Sequence, residues 1–187
     1  EYQSSQKINN RRNHQTHCVL GNRAYENKSD WKTALILLNN ILGGPGLNSR
    51  LNLNIREKYG FCYTIESNYQ PYTDTGIFSI YLGTDKDHLE KTIWLVNREL
   101  EKLRSQKLGV LQLKRAKQQL MGQVAISFDS NQNEMLSIGK SILVYDKIDS
   151  LEEIYQKIEV ITEADLLQVA NEVFEPSALS MLVFKPR

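Results

Sequence analysis

The sequence predicts an α+β fold, in which a mostly antiparallel sheet carries its helices packed on one face. The predicted order of elements is a strand, a helix, a strand pair, a run of helices and a last strand. This order lacks the regular alternation of a doubly wound parallel sheet. The strand pair, over residues 63–83, is joined by a short turn, which predicts an antiparallel hairpin. With 187 residues, 41% of them hydrophobic, the chain is long enough for one domain with a core.

A polar segment and a short strand come first. Residues 1–14 contain no apolar run and predict a tail or linker, which leaves residues 15–187 as a single domain. Apolar and polar positions alternate over residues 16–20, which predicts a strand that ends at Gly21. The polar residues 22–29 predict a loop.

A helix and a glycine-rich segment follow. Residues 31–42 are apolar nearly all round, which predicts a helix buried on most sides. It ends at Gly43-Gly44-Pro45-Gly46, where we expect a glycine to take the left-handed conformation and the proline to prevent continuation. These glycines are explained either as a helix stop or as a mobile loop that a ligand can approach closely.

The hairpin is predicted from alternation. Tyr63, Ile65 and the next two odd-numbered residues alternate with polar ones, so we expect them to share one face. Residues 71–76, PYTDTG, are rich in turn formers. A second strand is predicted over residues 77–83.

The remaining elements are mostly helices. Apolar side chains spaced three and four apart predict a helix that starts near Asp85 and Asp87. Four more helices are predicted: at residues 109–128, at 132–145, after the capping box of Ser150 and Glu153, and after Thr162. The last strand is predicted at residues 179–184.

Composition excludes several function classes. The net charge of +1 indicates no general attraction to nucleic acid or to a membrane surface. No run of ~20 apolar residues occurs, so we expect a soluble chain without a membrane span. Cys18 and Cys62 each lie in an apolar or aromatic run, which indicates buried thiols and leaves the compartment open.

No motif for a metal ion or a nucleophile is present. His14 and His17 are three apart, and on a strand such positions point to opposite sides of the sheet. His88 lies far from both along the chain. Neither H-E-x-x-H nor H-x-x-E-H occurs, so we predict no metal ligand and no cofactor in this chain. G-x-S-x-G and the P-loop motif are also missing.

One arginine and one tyrosine form the candidate site. If residues 57–62 turn back through Tyr59 and Gly60, Arg56 and Tyr63 can reach one cavity. A guanidinium offers a fork of donors and a phenol offers one, so together they could hold a peptide carbonyl or the oxyanion that it becomes. From these residues alone, a surface arginine and a core tyrosine remain the alternative.

The chain contains a characteristic ordered set of segments: QTHCVLG, LLNNILGGPGLNSRLNLNIREKYGFCYTI, GIFSIYLGTD, LKRAKQQLMGQVAISFDS and ITEADLLQVANEVF. This set resembles the C-terminal half domain of the insulinase-type zinc metallopeptidases, the family of pitrilysin and the mitochondrial processing peptidase. The resemblance covers about residues 15–184. It implies a LuxS/M16 metallohydrolase-like fold.

The resemblance also implies a divided mechanism. In this family two homologous halves close around an unfolded peptide, and the zinc ligands belong to the N-terminal half. The C-terminal half contributes chamber wall and an R-x-x-x-x-x-x-Y motif, which Arg56 and Tyr63 match. Its tyrosine would stabilise the tetrahedral intermediate and its arginine a nearby carbonyl. Gly43, Gly44 and Gly46 resemble the glycine-rich loop that grips substrate.

These implications lead to expectations about partners. We expect no cofactor here, zinc on a homologous N-terminal half, and no hydrolysis by this chain alone. Because no zinc motif and no initiator methionine are present, we expect a piece of a longer protein. Phe61 and Cys62 depart mildly from the family pattern, and Pro45 stiffens the glycine-rich loop.

Two alternatives remain open. One is a scaffold on the same fold, as in core subunits of a respiratory complex, or a processing-peptidase-like subunit that binds peptides without hydrolysis. An H-x-x-E-H motif in the adjoining N-terminal sequence would argue against this alternative. The other is a stand-alone module that binds peptides along an exposed sheet edge.

Overall fold

The computed structural model describes residues 2–187, and five strands form one sheet. The strands are β1 (Gln6–Arg11), β2 (Thr16–Ala24), β3 (Cys62–Pro71), β4 (Gly76–Thr84) and β5 (Ser180–Pro186). Their spatial order is β1-β5-β2-β4-β3. Only β1 and β5 pair in parallel, and the other neighbouring pairs are antiparallel. The prediction of a mostly antiparallel sheet is confirmed, as is the hairpin formed by β3 and β4.

The helices pack against one face of this sheet. They are α1 (Lys32–Gly43), a π-helix (Asn52–Glu57), α2 (Leu89–Ser105), α3 (Val110–Phe128), α4 (Asn131–Tyr145), α5 (Leu151–Glu159) and α6 (Glu163–Val173). Helix α1 packs on β3 and α6 packs on β2. Alternate residues of β2 and β4 are buried, because successive strand residues point to opposite faces. At the centre, the rings of Phe78 and Phe174 lie 4.8 Å apart. The predicted α+β architecture is confirmed.

Strand β1 lies where the sequence predicts a tail or linker. Residues Gln6–Arg11 pair with β5 along their whole length, from Gln6 opposite Met181 to Arg11 opposite Pro186. Only Asn9 of this strand is partly covered by other residues. The strand is therefore held by backbone hydrogen bonds, and its side chains form no apolar pattern that would predict a strand.

The ends of other elements follow local sequence signals. The side chain of Ser150 accepts a hydrogen bond from the Glu153 amide at 3.2 Å, and that of Thr162 accepts one from the Asp165 amide at 3.2 Å. Both predicted caps are therefore present. Strand β2 continues to Ala24, into the predicted loop, because it pairs with β4. No helix within residues 2–187 is long and apolar enough to cross a membrane.

Candidate functional site

The glycine-rich segment after α1 is shaped by close packing. Gly44 has φ −66° and ψ 178°, so the prediction of a left-handed glycine here is wrong. A Cβ on Gly43 would lie 2.6 Å from the backbone nitrogen of Ser67, and one on Gly44 would lie 2.6 Å from Cα of Asn40. The glycines are therefore required because the end of α1 touches β3 and its own last turn.

Four carboxamide side chains hold this segment in place. We call them the carboxamide cluster: Asn40, Asn48, Gln119 and Gln123. Asn48 donates to Gln119 at 2.7 Å, Asn40 donates to Gln123 at 2.5 Å, and Gln123 donates to the carbonyl of Pro45 at 3.3 Å. The glycine-rich segment is thus joined to α3 by side-chain hydrogen bonds.

The chain next passes through the π-helix to a sharp turn. The Gly60 amide donates to the carbonyl of Arg56 at 2.9 Å, and Gly60 has φ +66°, a conformation that glycine adopts readily. The reversal through Tyr59 and Gly60 therefore occurs where the sequence predicts it. It places Arg56 just before the turn and Tyr63 just after it. The π-helix itself was not predicted, and such irregular turns are frequent at functional sites.

Arg56 is a half-exposed side chain with weak internal contacts. Its Nη1 donates to Oδ1 of Asn52 at 3.3 Å, and its Nε lies 3.9 Å from Oε1 of Glu57. The side chain is 39% exposed. Because a guanidinium has five N–H donors, most of them stay available for another group.

Tyr63 occupies a bulge at the start of β3. Cys62 pairs with Thr84 and Thr64 pairs with Gly83, so Tyr63 is an extra residue on its strand. Cys62 and Ile65 are both buried although they are three apart, and Tyr63 is 56% exposed. The prediction that Tyr63 shares a face with Ile65 is therefore wrong, because the bulge redirects its side chain.

The hydroxyl of Tyr63 donates to Asp85. It lies 3.2 Å from each carboxylate oxygen of that residue. This hydrogen bond and the negative charge raise the pKa of Tyr63. Sequence reasoning missed this role of Asp85. The hairpin register could have found it, since Asp85 directly follows Thr84, the partner of Cys62.

An aromatic stack anchors the segment between Arg56 and Tyr63. The ring of Phe61 lies 4.6 Å from that of His88 and 5.4 Å from that of Tyr59. The ammonium of Lys91 lies 5.0 Å from the Phe61 ring centre. The turn is therefore fixed against the start of α2, and both candidate side chains project from a supported backbone.

Arg56 and Tyr63 flank one turn but do not touch each other. Within residues 2–187 no hydrogen bond joins them, and neither lines the cleft of about 350 Å³ beside α3. Their roles, and those of Gly43, Gly44 and Gly46, remain predictions.

No metal centre is formed by the residues that the structure describes. Among them, no three His, Cys, Asp or Glu side chains are arranged to hold a metal ion. His17 Nδ1 lies 2.8 Å from the hydroxyl of Tyr81, so this nitrogen already has a partner. Cys18 and Cys62 are free and buried, as predicted, and burial raises the pKa of Cys18 to about 12. The residues present do not fit a zinc ion.

The larger part of the chain matches a known protein family. Residues 1–120 match a family model described as "Peptidase M16 inactive domain". An uncharacterized zinc protease of Rickettsia bellii is 34% identical over 143 residues, which cover 76% of this chain and 34% of that protein. The uncharacterized zinc protease YmxG of Bacillus subtilis is 28% identical over 183 residues, which cover 97% of this chain and 44% of that protein. The chain thus spans less than half of the length of these relatives.

Solved structures share the fold. A peptidase M16 inactive domain from Pseudomonas fluorescens superposes with a TM-score of 0.86 at 22% identity, covering 99% of this chain and 44% of that one. A chain of complex III from Candida albicans superposes with a TM-score of 0.83 at 15% identity, covering 98% of this chain and 46% of that one. One architecture therefore occurs in a peptidase M16 inactive domain and in a chain of complex III.

Proposed function

Because the chain belongs to the peptidase M16 family, as its inactive C-terminal domain, we propose that it walls a proteolytic chamber opposite a zinc-bearing N-terminal half. The substrate is an unfolded peptide. Arg56 and Tyr63 contact the peptide at the scissile bond, and Gly43, Gly44 and Gly46 lie along its path. The chain alone hydrolyses nothing.

Exposed apolar side chains support the need for a partner. Helix α4 contains no fully buried residue. Met135 is 64% exposed, Leu136 60%, Ile142 48% and Leu143 88%. A helix with this much exposed apolar surface is expected to be covered by another surface. The relatives are long enough to supply that surface, since this chain spans 34% and 44% of the two compared above.

The bulge at Tyr63 is the observation that carries the catalytic proposal. It turns a tyrosine away from the core at the start of a strand, and bulges recur next to active sites. An oxyanion stabiliser must bring a proton, and a tyrosine phenol, with an ordinary pKa of about 10, carries one at neutral pH. The phenol then exchanges its hydrogen bond from Asp85 to the oxyanion.

Arg56 has the complementary role of positioning the substrate. Its partner Asn52 is neutral, and its contact with the charged Glu57 is long at 3.9 Å. The free donors of the guanidinium can therefore bind a backbone carbonyl near the scissile bond. Holding the peptide in register would lower KM and orient the bond for attack.

The test is hydrolysis of an unfolded peptide by the full-length protein and by this chain alone. Tyr63→Phe in the full-length protein should lower kcat about 100-fold and change KM little, because the lost hydrogen bond forms only in the transition state. Tyr72→Phe is the matched control. That tyrosine is 41% exposed at the hairpin turn, and its variant should keep wild-type kcat.

Two results would contradict the proposal. Hydrolysis by the isolated chain would remove the division of labour between the halves. An unchanged kcat in Tyr63→Phe would remove Tyr63 from the mechanism while leaving the chamber-wall role intact.

A non-catalytic role is the second candidate, and the internal pairing of Tyr63 favours it. The phenol of Tyr63 donates its one proton to Asp85, so this side chain needs no substrate to satisfy it. In that case the full-length protein binds unfolded peptides or assembles with other subunits without cleaving the peptide. Peptide binding without hydrolysis, unaffected by Tyr63→Phe, would establish this role.

A further inference from the structure

A cleft with both polar and apolar walls lies apart from Arg56 and Tyr63, between the end of α1, residues 48–53 and the start of α3. We call it the arginine cleft. It encloses about 350 Å³ and is lined by Arg50 and Arg115. That volume lies within the ~300–1,000 Å³ of small-ligand pockets and exceeds the space needed by a single inorganic ion.

The cleft holds positive charge without a matching carboxylate. Neither Asp nor Glu is among its lining residues. Arg50 is half-buried, and its guanidinium forms no hydrogen bond and no ion pair within residues 2–187. Burial lowers the pKa of Arg50, which is the expected cost of a guanidinium whose lost water is not replaced.

Within residues 2–187, Glu99 is the carboxylate whose charge opposes this cost, and it does so in part. Its negative charge acts to raise the pKa of Arg50, but burial outweighs it. Oε1 of the buried Glu99 forms an ion pair with Lys102 at 2.5 Å, and its Oε2 has no hydrogen-bond partner within residues 2–187. No hydrogen bond or ion pair joins Glu99 to Arg50 in this part of the chain, so the fork of Arg50 is open to a group that enters the cleft.

The other walls suit an organic molecule. Asn40, Asn48 and Gln119 of the carboxamide cluster line one part, and their mutual hydrogen bonds fix their orientation. Ile41 and Leu53 add apolar surface. Neutral amides pair with peptide amides, and apolar walls pack against an aliphatic stem, which inorganic phosphate lacks.

We propose that the arginine cleft binds an acidic peptide segment, with a side-chain carboxylate on Arg50 and Arg115 and the peptide backbone along the amides. Arginine suits this role because its planar fork matches a carboxylate with two hydrogen bonds. The binding does not depend on hydrolysis, and so it stands or falls separately from the proposed function.

The experiment is calorimetric titration of the full-length protein at low salt, with a chelator present so that no peptide is cleaved. The probes are the blocked tripeptide Ala-Glu-Ala, its Ala-Gln-Ala counterpart and inorganic phosphate. We expect only the glutamate peptide to bind. Arg50→Gln and Arg115→Gln should each weaken it about tenfold or more, since each removes charge-assisted hydrogen bonds.

Matched variants separate this site from general charge effects. Lys114→Gln removes the same charge one residue from Arg115, outside the cleft, and should leave the affinity unchanged. Glu99→Gln removes the competing negative charge and should tighten binding several-fold, a gain that a purely structural role for Arg50 does not predict. Arg50→Lys keeps the charge without the fork, should weaken binding less than Arg50→Gln, and serves where Arg50→Gln fails to fold.

Three outcomes would overturn the proposal. The first is equal binding of the glutamate and glutamine peptides. The second is an equal loss in Lys114→Gln and Arg115→Gln. In the third, phosphate binds in a way that depends on Arg50 and the glutamate peptide does not bind. That result would assign the cleft to inorganic anions.

Discussion

Gly43→Ala should destabilise the protein, because the site has no room for a methyl group. The added Cβ would lie 2.6 Å from the backbone nitrogen of Ser67, and 2.8 Å from both Oγ of Ser67 and Cδ1 of Leu51. The nearest of these atoms belongs to the backbone of β3, which cannot rotate away. Either α1 or β3 must therefore shift.

The magnitude follows from two opposing contributions. Overpacking a close-packed core costs about 1–3 kcal/mol. Alanine in place of glycine in a helix returns about 0.5–1 kcal/mol. The net loss for Gly43→Ala therefore lies between about 0 and 2.5 kcal/mol and is centred near 1 kcal/mol, or about 2–4 °C in Tm for a domain of this size.

Gly122→Ala provides a control with the opposite sign. Gly122 lies within α3, is exposed, and has nothing within 4 Å of an added Cβ. Only the helix-propensity gain applies there, so stability should rise by about 0.5–1 kcal/mol. Both variants are compared with the parent by urea unfolding followed by circular dichroism. The packing explanation fails if Gly43→Ala is as stable as the parent while Gly122→Ala behaves as expected.

Two further predictions concern titratable groups. Cys18 should react with iodoacetamide at pH 8 far more slowly in the folded chain than in urea, because burial raises its pKa to about 12; rapid labelling of the native chain would contradict this. Hydrogen bonds from Lys157 and Lys147 lower the pKa of Asp149, so its stabilising effect is present above the unfolded pKa and is lost as pH falls through the folded one. Asp149→Asn should therefore reduce the loss of stability measured below about pH 4, and an unchanged pH profile would show that these ion pairs are too solvated to matter.

The parts of the fold that sequence could predict are those with local causes. The hairpin follows from alternation and turn chemistry, and the caps at Ser150 and Thr162 follow from side chains within one helical turn. Strand β1 has no such cause. Its exposed residues carry no apolar period, and only the presence of β5, far along the chain, makes it a strand.

The glycine-rich segment shows a different limit. Sequence identifies the end of α1 correctly but assigns the wrong reason to Gly43 and Gly44. A left-handed glycine is a local property, whereas the close approach of α1 to Ser67 depends on how the helix packs on the sheet. Glycine is thus favoured at Gly60 by the positive φ of the backbone, and at Gly43 by the lack of space for a Cβ.

The local geometry around the two candidate residues follows in part from sequence. The motif selects Arg56 and Tyr63, whose roles remain predictions, and the turn between them lies where the sequence predicts it. The bulge could also have been found, because Cys62 and Ile65 are apolar residues three apart on one strand. Both can be buried only if an extra residue lies between them.

Asp85 is the hydrogen-bond partner that a substrate would have to displace from Tyr63. The phenol is 3.2 Å from each oxygen of that carboxylate, a bifurcated contact on an exposed surface that a developing oxyanion can replace. The same carboxylate raises the pKa of Tyr63, and it orients the hydroxyl that would donate to the oxyanion. Internal pairing with Asp85 is therefore compatible with catalysis and also expected of a donor held ready. Only the kcat of Tyr63→Phe in the full-length protein distinguishes a donor that is used from one that is merely satisfied.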